Sequence, residues 1–468
     1  MCEHRDESGA QTMTAEAKSG TAPQMLAEIL GSEPAPEVSI TGAGSLPAVF
    51  PVSELATASL AAAGVAASEL RAATGASFPA VTVDRRLASM WFASSLRPDG
   101  WAPPPAWDAI AGDYRAADGW IRLHTNAPAH RAAALGVLGV PAERDHVAAA
   151  VLDWTLNDLE AAIVHAGGCA AAMRTLAEWK GSEQGRSVAA EPLIHWQETG
   201  AAKTERFGLD PARPLAGVRV LDLTRVLAGP ISTRLLAALG ADVLRIDPPW
   251  WDEPGIVPEV MLGKRSARLD LRESAGRARL LELLARADVL VHGYRPGALS
   301  GLGLGRALRE ETRPGLIEVR LNAYGWTGPL AGRRGFDSIV QMSTGIADEG
   351  MRVLGRDTPT PLPVQALDHA TGYLMAHAAI RALAARVRSG RGSRASLSLA
   401  RTAELLTAPG SALPRDQIRP EDARDAAPGL ELTDWGPARR LKSPVSIEGV
   451  TLRPRLPARA LGSGRPDW

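Results

Sequence analysis

Residues 214–247, PLAGVRVLDLTRVLAGPISTRLLAALGADVLRID, predict a strand, a tight turn, a helix and a second strand. Residues 218–223 are an apolar run of the kind that is buried in a parallel sheet. Leu235 and Leu239 recur at helical spacing, and Gly240 ends the helix before the second apolar run. The stretch therefore predicts one βαβ unit of a parallel sheet.

Composition limits the classes of protein that fit. The chain has 468 residues, enough for two or three domains, and its 52 Lys and Arg balance its 52 Asp and Glu. This balance argues against a nucleic-acid or acidic-membrane partner. The N-terminus has no apolar signal core, no run of residues is long enough to span a bilayer, and Cys2 and Cys169 are the only cysteines. We therefore expect a cytoplasmic protein with no disulfide framework and no metal site.

The pattern along the chain predicts six segments. Strands and helices alternate after residue 214, which predicts an open, mostly parallel, Rossmann-like α/β sheet, and residues 112–197 predict a separate small α+β domain. An alanine-rich helix near residues 50–75 is similar to one near 362–390, which leaves an internal duplication open. The predicted segments are a disordered, polar N-terminus (1–45), a partial segment (46–111), the small domain (112–197), a linker (198–213), the large domain (214–407) and an irregular tail (408–468).

Several motifs resemble the family III CoA-transferases, the group of formyl-CoA and carnitine CoA-transferases with α-methylacyl-CoA racemase as a racemising branch. They are the opening stretch, VQALDHATG around Asp368, residues 322–346, and YRAADGWIRLHTN at 114–126. The resemblance implies the fold of that family. It also implies a fused or permuted chain, because the small-domain motif precedes the large domain here, and it makes residues 46–111 a degenerate copy.

The resemblance identifies Asp368 as the catalytic nucleophile. A carboxylate in the first turn of a helix is expected to be held ionised by free N–H groups and the helix dipole. It could then attack a thioester and form an acyl-aspartyl anhydride and an aspartyl-CoA thioester. From the local sequence alone, a helix-capping role for Asp368 is the more common one.

The resemblance also implies residues that bind CoA, with no cofactor beyond CoA itself as a substrate. Neither GxGxxG nor a Walker loop follows the first strand, which disfavours a dinucleotide or ATP site. For Lys264 and Arg265, a solvated basic loop is the alternative. The implied residues are Val226, Leu227, Ala228, Arg245, Lys264, Arg265, Leu269, Asp270, Gly293, Tyr294 and Arg295.

Phe336 separates the two branches of the family. The racemases place histidine there, and phenylalanine cannot exchange a proton, so the transferase branch is favoured. Tyr324, Asp337 and Gln341 are expected to contact the acyl end of the substrate, although Asp337 and Gln341 could be ordinary turn and helix residues. The expected activity is that of an acyl-CoA:carboxylate CoA-transferase acting on small molecules, in a possible homodimer. An acyl-CoA racemase or epimerase, and a CoA-binding protein without turnover, remain alternatives.

Overall fold

The N-terminal part of the chain has more regular structure than its composition predicts. The computed structural model describes residues 21–31, 36–73, 78–202 and 210–468. The prediction that residues 1–45 are disordered is wrong for their described part, because α1 buries Met25, Leu26 and Ile29; residues 1–20 and 32–35 lie outside the described residues. The first elements are α1 (Ala22–Leu30), β1 (Val38–Thr41), α2 (Val52–Ala72), β2 (Val81–Asp84), α3 (Arg85–Trp91) and β3 (Leu96–Pro98).

The predicted small α+β unit forms a three-stranded antiparallel sheet in the order β4-β5-β6, with helices packed on it. Its apolar core includes Ile121, Leu123, Leu159 and Ile163. Its elements are β4 (Gly112–Ala116), β5 (Gly119–Leu123), α4 (Pro128–Leu138), α5 (Arg144–Val151), α6 (Leu156–His165), β6 (Ala170–Ala172), α7 (Leu176–Gly181) and α8 (Glu183–Ala190).

Strands and helices alternate through the large domain, as the sequence predicts. Its elements are β7 (His195–Ala201), β8 (Arg219–Leu223), α9 (Ala228–Ala238), β9 (Asp242–Asp247), α10 (Val257–Val260), β10 (Arg265–Arg268), α11 (Ser274–Leu284), β11 (Val289–His292), α12 (Ala298–Gly301), α13 (Arg306–Thr312), β12 (Ile317–Asn322), α14 (Asp337–Ser343), α15 (Ile346–Val353), α16 (Ala366–Ser389), β13 (Arg391–Ser398) and α17 (Leu399–Thr407).

These strands form one sheet in the order β10-β9-β8-β11-β12-β13-β7. All neighbours are parallel except β7, which runs antiparallel to β13, so the prediction of an open, mostly parallel α/β sheet is confirmed. The predicted linker 198–213 is wrong at its start, because β7 extends to Ala201 and pairs with β13. Residues 203–209 of that linker lie outside the described part of the chain.

Helices cover both faces of the large sheet. Val220, Val291 and Val319 point to the face that α9 and α16 cover. Leu221 and Leu290 point to the face that α11 covers. The two faces alternate along each strand because successive side chains of a strand point in opposite directions.

Helix α2 packs along α16, so the N-terminal part shares one core with the large domain. His377 Nδ1 on α16 lies 2.8 Å from the Ala62 carbonyl oxygen on α2. Gly372 lets α16 approach α9 closely, because a Cβ atom at this position would lie only 2.4 Å from the Ala228 carbonyl oxygen. Gly372 is therefore required for the close packing of α9 and α16.

The tail after residue 408 contains short strands, which corrects the prediction of an irregular tail. The strands are β14 (Glu431–Thr433), β15 (Gly436–Arg440) and β16 (Val445–Ile447). β15 pairs with β3 and β16 pairs with β2, both antiparallel. Strands of three to five residues are too short to give a clear periodic signal, and β3 and β2 lie more than 300 residues before β15 and β16.

Candidate active site

Two aspartates, Asp337 and Asp368, meet where α14 and α16 begin. Asp337 is the first residue of α14, and Asp368 lies in the first turn of α16. The Asp368 backbone N–H donates to Asp337 Oδ2 at 2.9 Å, and the Leu367 backbone N–H also bonds this carboxylate. Asp337 therefore caps the N-terminus of α16 from a distance of 31 residues in sequence.

Gln341 fixes the orientation of the Asp337 carboxylate. It lies one helical turn after Asp337, and its Nε2 donates to Asp337 Oδ1. Its Oε1 accepts from the Leu362 backbone N–H at 2.8 Å. Gln341 therefore connects the segment that precedes α16 to the Asp337 carboxylate. Both side chains are almost completely buried. Asp337 and Gln341, predicted as substrate contacts, thus organise the surroundings of Asp368.

The Asp368 carboxyl is only 7% exposed and has a pKa raised well above its ordinary value, because it is buried and lies beside Asp337. Burial also raises the pKa of Asp337 to about 6. The expectation that the helix N-terminus holds Asp368 ionised is therefore not supported. The N–H groups at the start of α16 bond Asp337, and among the described residues no donor bonds the Asp368 carboxylate.

Tyr324, the third predicted substrate contact, has no exposed surface. Its hydroxyl lies 2.9 Å from Ser343 Oγ, and the Arg333 guanidinium lies 5.6 Å from its ring centre. The structure thus gives Tyr324 a packing role, and the prediction that it contacts substrate is not supported. Tyr324 lies two residues after the end of β12, a position where an exposed residue is common.

An aromatic wall of Trp107, His124 and Phe336 lies beside Asp337, which follows Phe336 in the chain. The His124 ring stacks on Phe336 with ring centres 3.8 Å apart and planes 8° apart. The Trp107 ring meets His124 edge-on at 5.8 Å. Burial lowers the pKa of His124 to about 3, so this imidazole is neutral at physiological pH. The site thus combines residues from both domains of one chain.

Arg245 and Lys264, two of the predicted CoA contacts, point into the protein interior. Arg245 has no exposed surface and pairs with Asp247 and Glu253. Lys264 donates to Asp222 Oδ2 at 3.1 Å and to the Pro230 carbonyl at 2.8 Å. Their charges are compensated inside the fold, so the prediction that they bind CoA phosphates is not supported.

The basic loop that follows is also engaged within the chain. Arg265 pairs with Asp242, and its guanidinium lies 5.9 Å from the ring of Trp468 in the tail. Leu269 packs against the α11 face of the sheet. Asp270 forms an exposed ion pair with Arg272. None of the predicted residues in this loop shares a described contact with Asp337 or Asp368.

The remaining predicted residues lie at the crevice between β8 and β11. Strand order reverses between these strands, and the carboxyl ends of strands at such a switch point commonly form a ligand site in α/β sheets. The loop after β8 provides Val226 and Leu227 before α9 begins at Ala228. The loop after β11 provides Gly293, Tyr294 and the exposed Arg295.

Val226 has φ = 64°, a left-handed conformation that is strained for a β-branched residue. Its N–H donates to Glu253 Oε2 at 2.8 Å. Glu253 also pairs with the buried Arg245 and accepts from the Trp251 indole N–H at 3.2 Å. Arg245 thus shapes this loop through Glu253.

Arg225 and Trp251 belong to the same crevice and were not among the predicted residues. The Arg225 guanidinium lies 4.6 Å from the ring centre of Trp251 and 5.7 Å from that of Tyr294. Arg225 directly precedes Val226 at a strand end, and this position is the signal that could have identified it. His124 directly follows β5, and this position at a strand end is likewise the signal that could have identified it.

Within the described part of the chain, no group of histidine, cysteine, aspartate and glutamate side chains could hold a metal ion. No helix there is long and apolar enough to cross a bilayer. The candidate site consists of the aspartate pair, the aromatic wall and the crevice between β8 and β11.

Comparisons with known proteins agree with the sequence motifs. Residues 215–432 match the sequence profile of CoA-transferase family III. The chain is 34% identical over 195 residues to the probable fatty acyl-CoA transferase Rv3272 of Mycobacterium tuberculosis, covering 39% of this chain and 49% of that protein. It is 37% identical over 198 residues to the succinyl-CoA:glutarate CoA-transferase of Mus musculus, covering 39% and 44%.

A crystal structure of Rv3272 is 33% identical, with a TM-score of 0.39, over 42% of this chain and 58% of that one. The chain spans about half the length of the curated relatives that it matches.

Proposed function

We propose that this chain, which belongs to CoA-transferase family III through residues 215–432, is an acyl-CoA:carboxylate CoA-transferase with Asp368 as its nucleophile. The observation that carries the proposal is the buried Asp337–Asp368 pair at the start of α16, because a carboxyl with few hydrogen bonds and a raised pKa in such a place is typical of a functional group. The names of the relatives, which are CoA-transferases, support the same reaction class.

The crevice between β8 and β11 is the proposed CoA site. Trp251 and Tyr294 offer aromatic surface, and Arg225 and Arg295 offer positive charge, which suits a nucleotide with several phosphates. Helix α9 begins at this crevice and touches α16 at Gly372, one turn after Asp368. A thioester held there could extend toward Asp368.

The proposed reaction begins when the ionised Asp368 carboxylate attacks the thioester carbonyl. The C–S bond breaks, CoA leaves as a thiolate, and an acyl-aspartyl anhydride forms. The thiolate attacks the aspartyl carbonyl, which releases the first carboxylate and leaves an aspartyl-CoA thioester. The acceptor carboxylate attacks this thioester, and the released thiolate then attacks the acceptor's acyl carbon. This last step gives the new acyl-CoA and regenerates Asp368.

Protonation controls the first step of this scheme. Burial and the neighbouring Asp337 raise the pKa of Asp368. The carboxyl therefore has to lose a proton, which the fold disfavours, before it can attack. Once ionised, the carboxylate lacks donors among the described residues and is a stronger nucleophile than a well-solvated one. The neutral His124 beside Phe336 adds no competing charge.

Oxygen-18 in the acceptor carboxylate tests the scheme directly. The acceptor leaves one of its oxygens on the regenerated aspartate, so turnover should label the peptide that contains Asp368, as read by mass spectrometry. Asp368→Asn should lower turnover by ~10³-fold or more while CoA binding survives. Asp153→Asn, which changes an exposed aspartate of the small domain, is the matched control. Near-normal turnover in Asp368→Asn, or a label at another residue, would contradict the scheme.

A further inference from the structure

A second polar cavity lies on the face of the large sheet opposite α16, where β11, β12 and β13 end. Its volume is about 110 Å³. His292, Arg320 and Ser396 stand opposite one another on these three strands. The cavity is lined by His292, Tyr294, Arg295, Pro296, Gly297, Leu299, Ser300, Arg306, Arg309, Arg320 and Arg394.

The fold holds Arg320 rigidly in this cavity. Its Nε donates to Ser396 Oγ at 2.8 Å, and its guanidinium stacks 3.9 Å from the ring centre of Trp326. Arg320 forms no ion pair with a carboxylate in the described part of the chain. A fixed and half-buried guanidinium without a carboxylate partner is poised to bind an anion.

The other charges of the cavity do not neutralise Arg320. Two buried arginines at its base, Arg309 and Arg394, share Glu318. Glu310 pairs with Arg306 and Arg394. Five guanidinium groups thus face two carboxylates, which leaves three positive charges uncompensated when His292 is neutral.

The pKa shifts of His292 and Arg320 are consistent with an excess of positive charge in the cavity. Burial lowers the pKa of His292, so its imidazole is uncharged at physiological pH. Burial and the neighbouring Arg394 lower the pKa of Arg320 to about 10, as expected for a cation among cations. Arg295 and Arg306 are exposed at the rim, where they can close on a ligand.

We propose that this cavity, which we name the Arg320 cavity, is a binding site for a phosphate group. A guanidinium cluster offers several N–H donors in a planar arrangement that matches phosphate oxygens, and a dianion would offset most of the excess charge. Two sources carry that chemistry: a phosphate of the CoA nucleotide, reached past Tyr294, or a free phosphate. The first source rests on the proposed function, and the second does not.

Titration calorimetry of the full-length protein with inorganic phosphate, CoA and 3′-dephospho-CoA tests the proposal. Arg320→Gln should weaken binding of the phosphate ligand that occupies the cavity by about 10- to 100-fold, because a charge-assisted contact is lost. Arg320→Lys should retain part of the affinity. Arg388→Gln, which removes an exposed charge on α16, should bind like wild type. Circular dichroism of each variant controls for folding.

The ligand series separates the two sources. A 3′-phosphate in the cavity makes CoA bind more tightly than dephospho-CoA in wild type and equally in Arg320→Gln. If the cavity holds the diphosphate of CoA, Arg320→Gln lowers the affinities for CoA and for dephospho-CoA by the same factor. A free phosphate site binds inorganic phosphate together with CoA, without competition.

Asp368→Asn should bind all three ligands with wild-type affinity. The binding result can therefore be interpreted even if Asp368 is not the nucleophile. The proposal is overturned if wild type binds none of the three ligands, or if Arg320→Gln binds all of them as wild type does.

Discussion

Replacing Asp337 by asparagine removes one of two buried carboxyl groups with little change in side-chain size. Burial raises the pKa of Asp337 from its ordinary 3.8 to about 6. A carboxyl whose pKa is higher in the folded than in the unfolded state binds protons more tightly when folded. Its contribution to stability is therefore full below about pH 4 and is lost as the pH rises through about 6.

The size of this effect follows from the two pKa values. The difference between 3.8 and about 6, at about 1.4 kcal/mol per pH unit, lowers the free energy of unfolding of wild type by about 3 kcal/mol between pH 4 and pH 8. Asparagine has no such titration. Its amide nitrogen cannot accept a hydrogen bond, so Asp337→Asn also loses one of the bonds to Asp368 N–H or Gln341, at a cost of about 1 kcal/mol at every pH.

Urea unfolding followed by tryptophan fluorescence at pH 4 to pH 8 measures both effects. Asp337→Asn should be less stable than wild type at pH 4 and should gain about 3 kcal/mol relative to wild type by pH 8. The exposed Asp153→Asn should keep a constant difference from wild type across the same range. A constant difference for Asp337→Asn as well would refute the assignment of a raised pKa to this group.

Three further predictions address packing, the buried ion pair and the reaction branch. Gly372→Ala should destabilise the fold by about 1–3 kcal/mol, since its Cβ meets the Ala228 carbonyl at 2.4 Å, whereas Gly136→Ala on α4, with open space around it, should not; equal stability of the two variants would contradict this. Lys264→Met should cost about 3–5 kcal/mol in urea unfolding, because Asp222 is left charged and buried, and a loss below ~1 kcal/mol would count against the pair. Incubation of a 2-methylacyl-CoA in heavy water should give no enzyme-dependent α-deuteration; uptake that His124→Ala abolishes would favour the racemase alternative.

The sequence predicts the central elements well because their signals are local. The apolar run, helical spacing and glycine of residues 214–247 give β8, α9 and β9 within one or two residues. The small α+β domain predicted for residues 112–197 likewise begins with a local hairpin of β4 and β5. In both places, burial and backbone preference agree over a short stretch.

Long-range partners explain most of what the sequence does not predict. Lys264 and Arg245 stand in motifs where basic residues are expected to face a phosphate. Lys264 pairs with Asp222, which lies 42 residues earlier, and Arg245 pairs with Glu253 as well as with the neighbouring Asp247. A motif identifies Arg245 and Lys264 as basic residues. Whether their side chains are buried depends on how β8, β9 and β10 pair.

The candidate nucleophile shows the same limit in its electrostatics. The position of Asp368 at the start of α16 is predicted correctly, but the expected hydrogen bonds from the helix N-terminus to its carboxylate are not found. The helix N-terminus has only a few free N–H groups, and Asp337, from α14, accepts two of them. The sequence gives no sign of this competition because the two aspartates lie 31 residues apart, with α15 between them.

This competition also explains how one helix start could serve two carboxyl groups. Asp337 takes the hydrogen bonds, so Asp368 is held in place by its backbone while its side chain stays without donors. A carboxyl in that state is costly to ionise in an empty site, and the cost falls when a bound ligand supplies a positive or polar group. If acyl-CoA binding lowers the pKa of Asp368 in this way, the nucleophile is formed only when its substrate is present. In the free protein the Asp368 carboxyl would then hold its proton more tightly than an ordinary aspartate does.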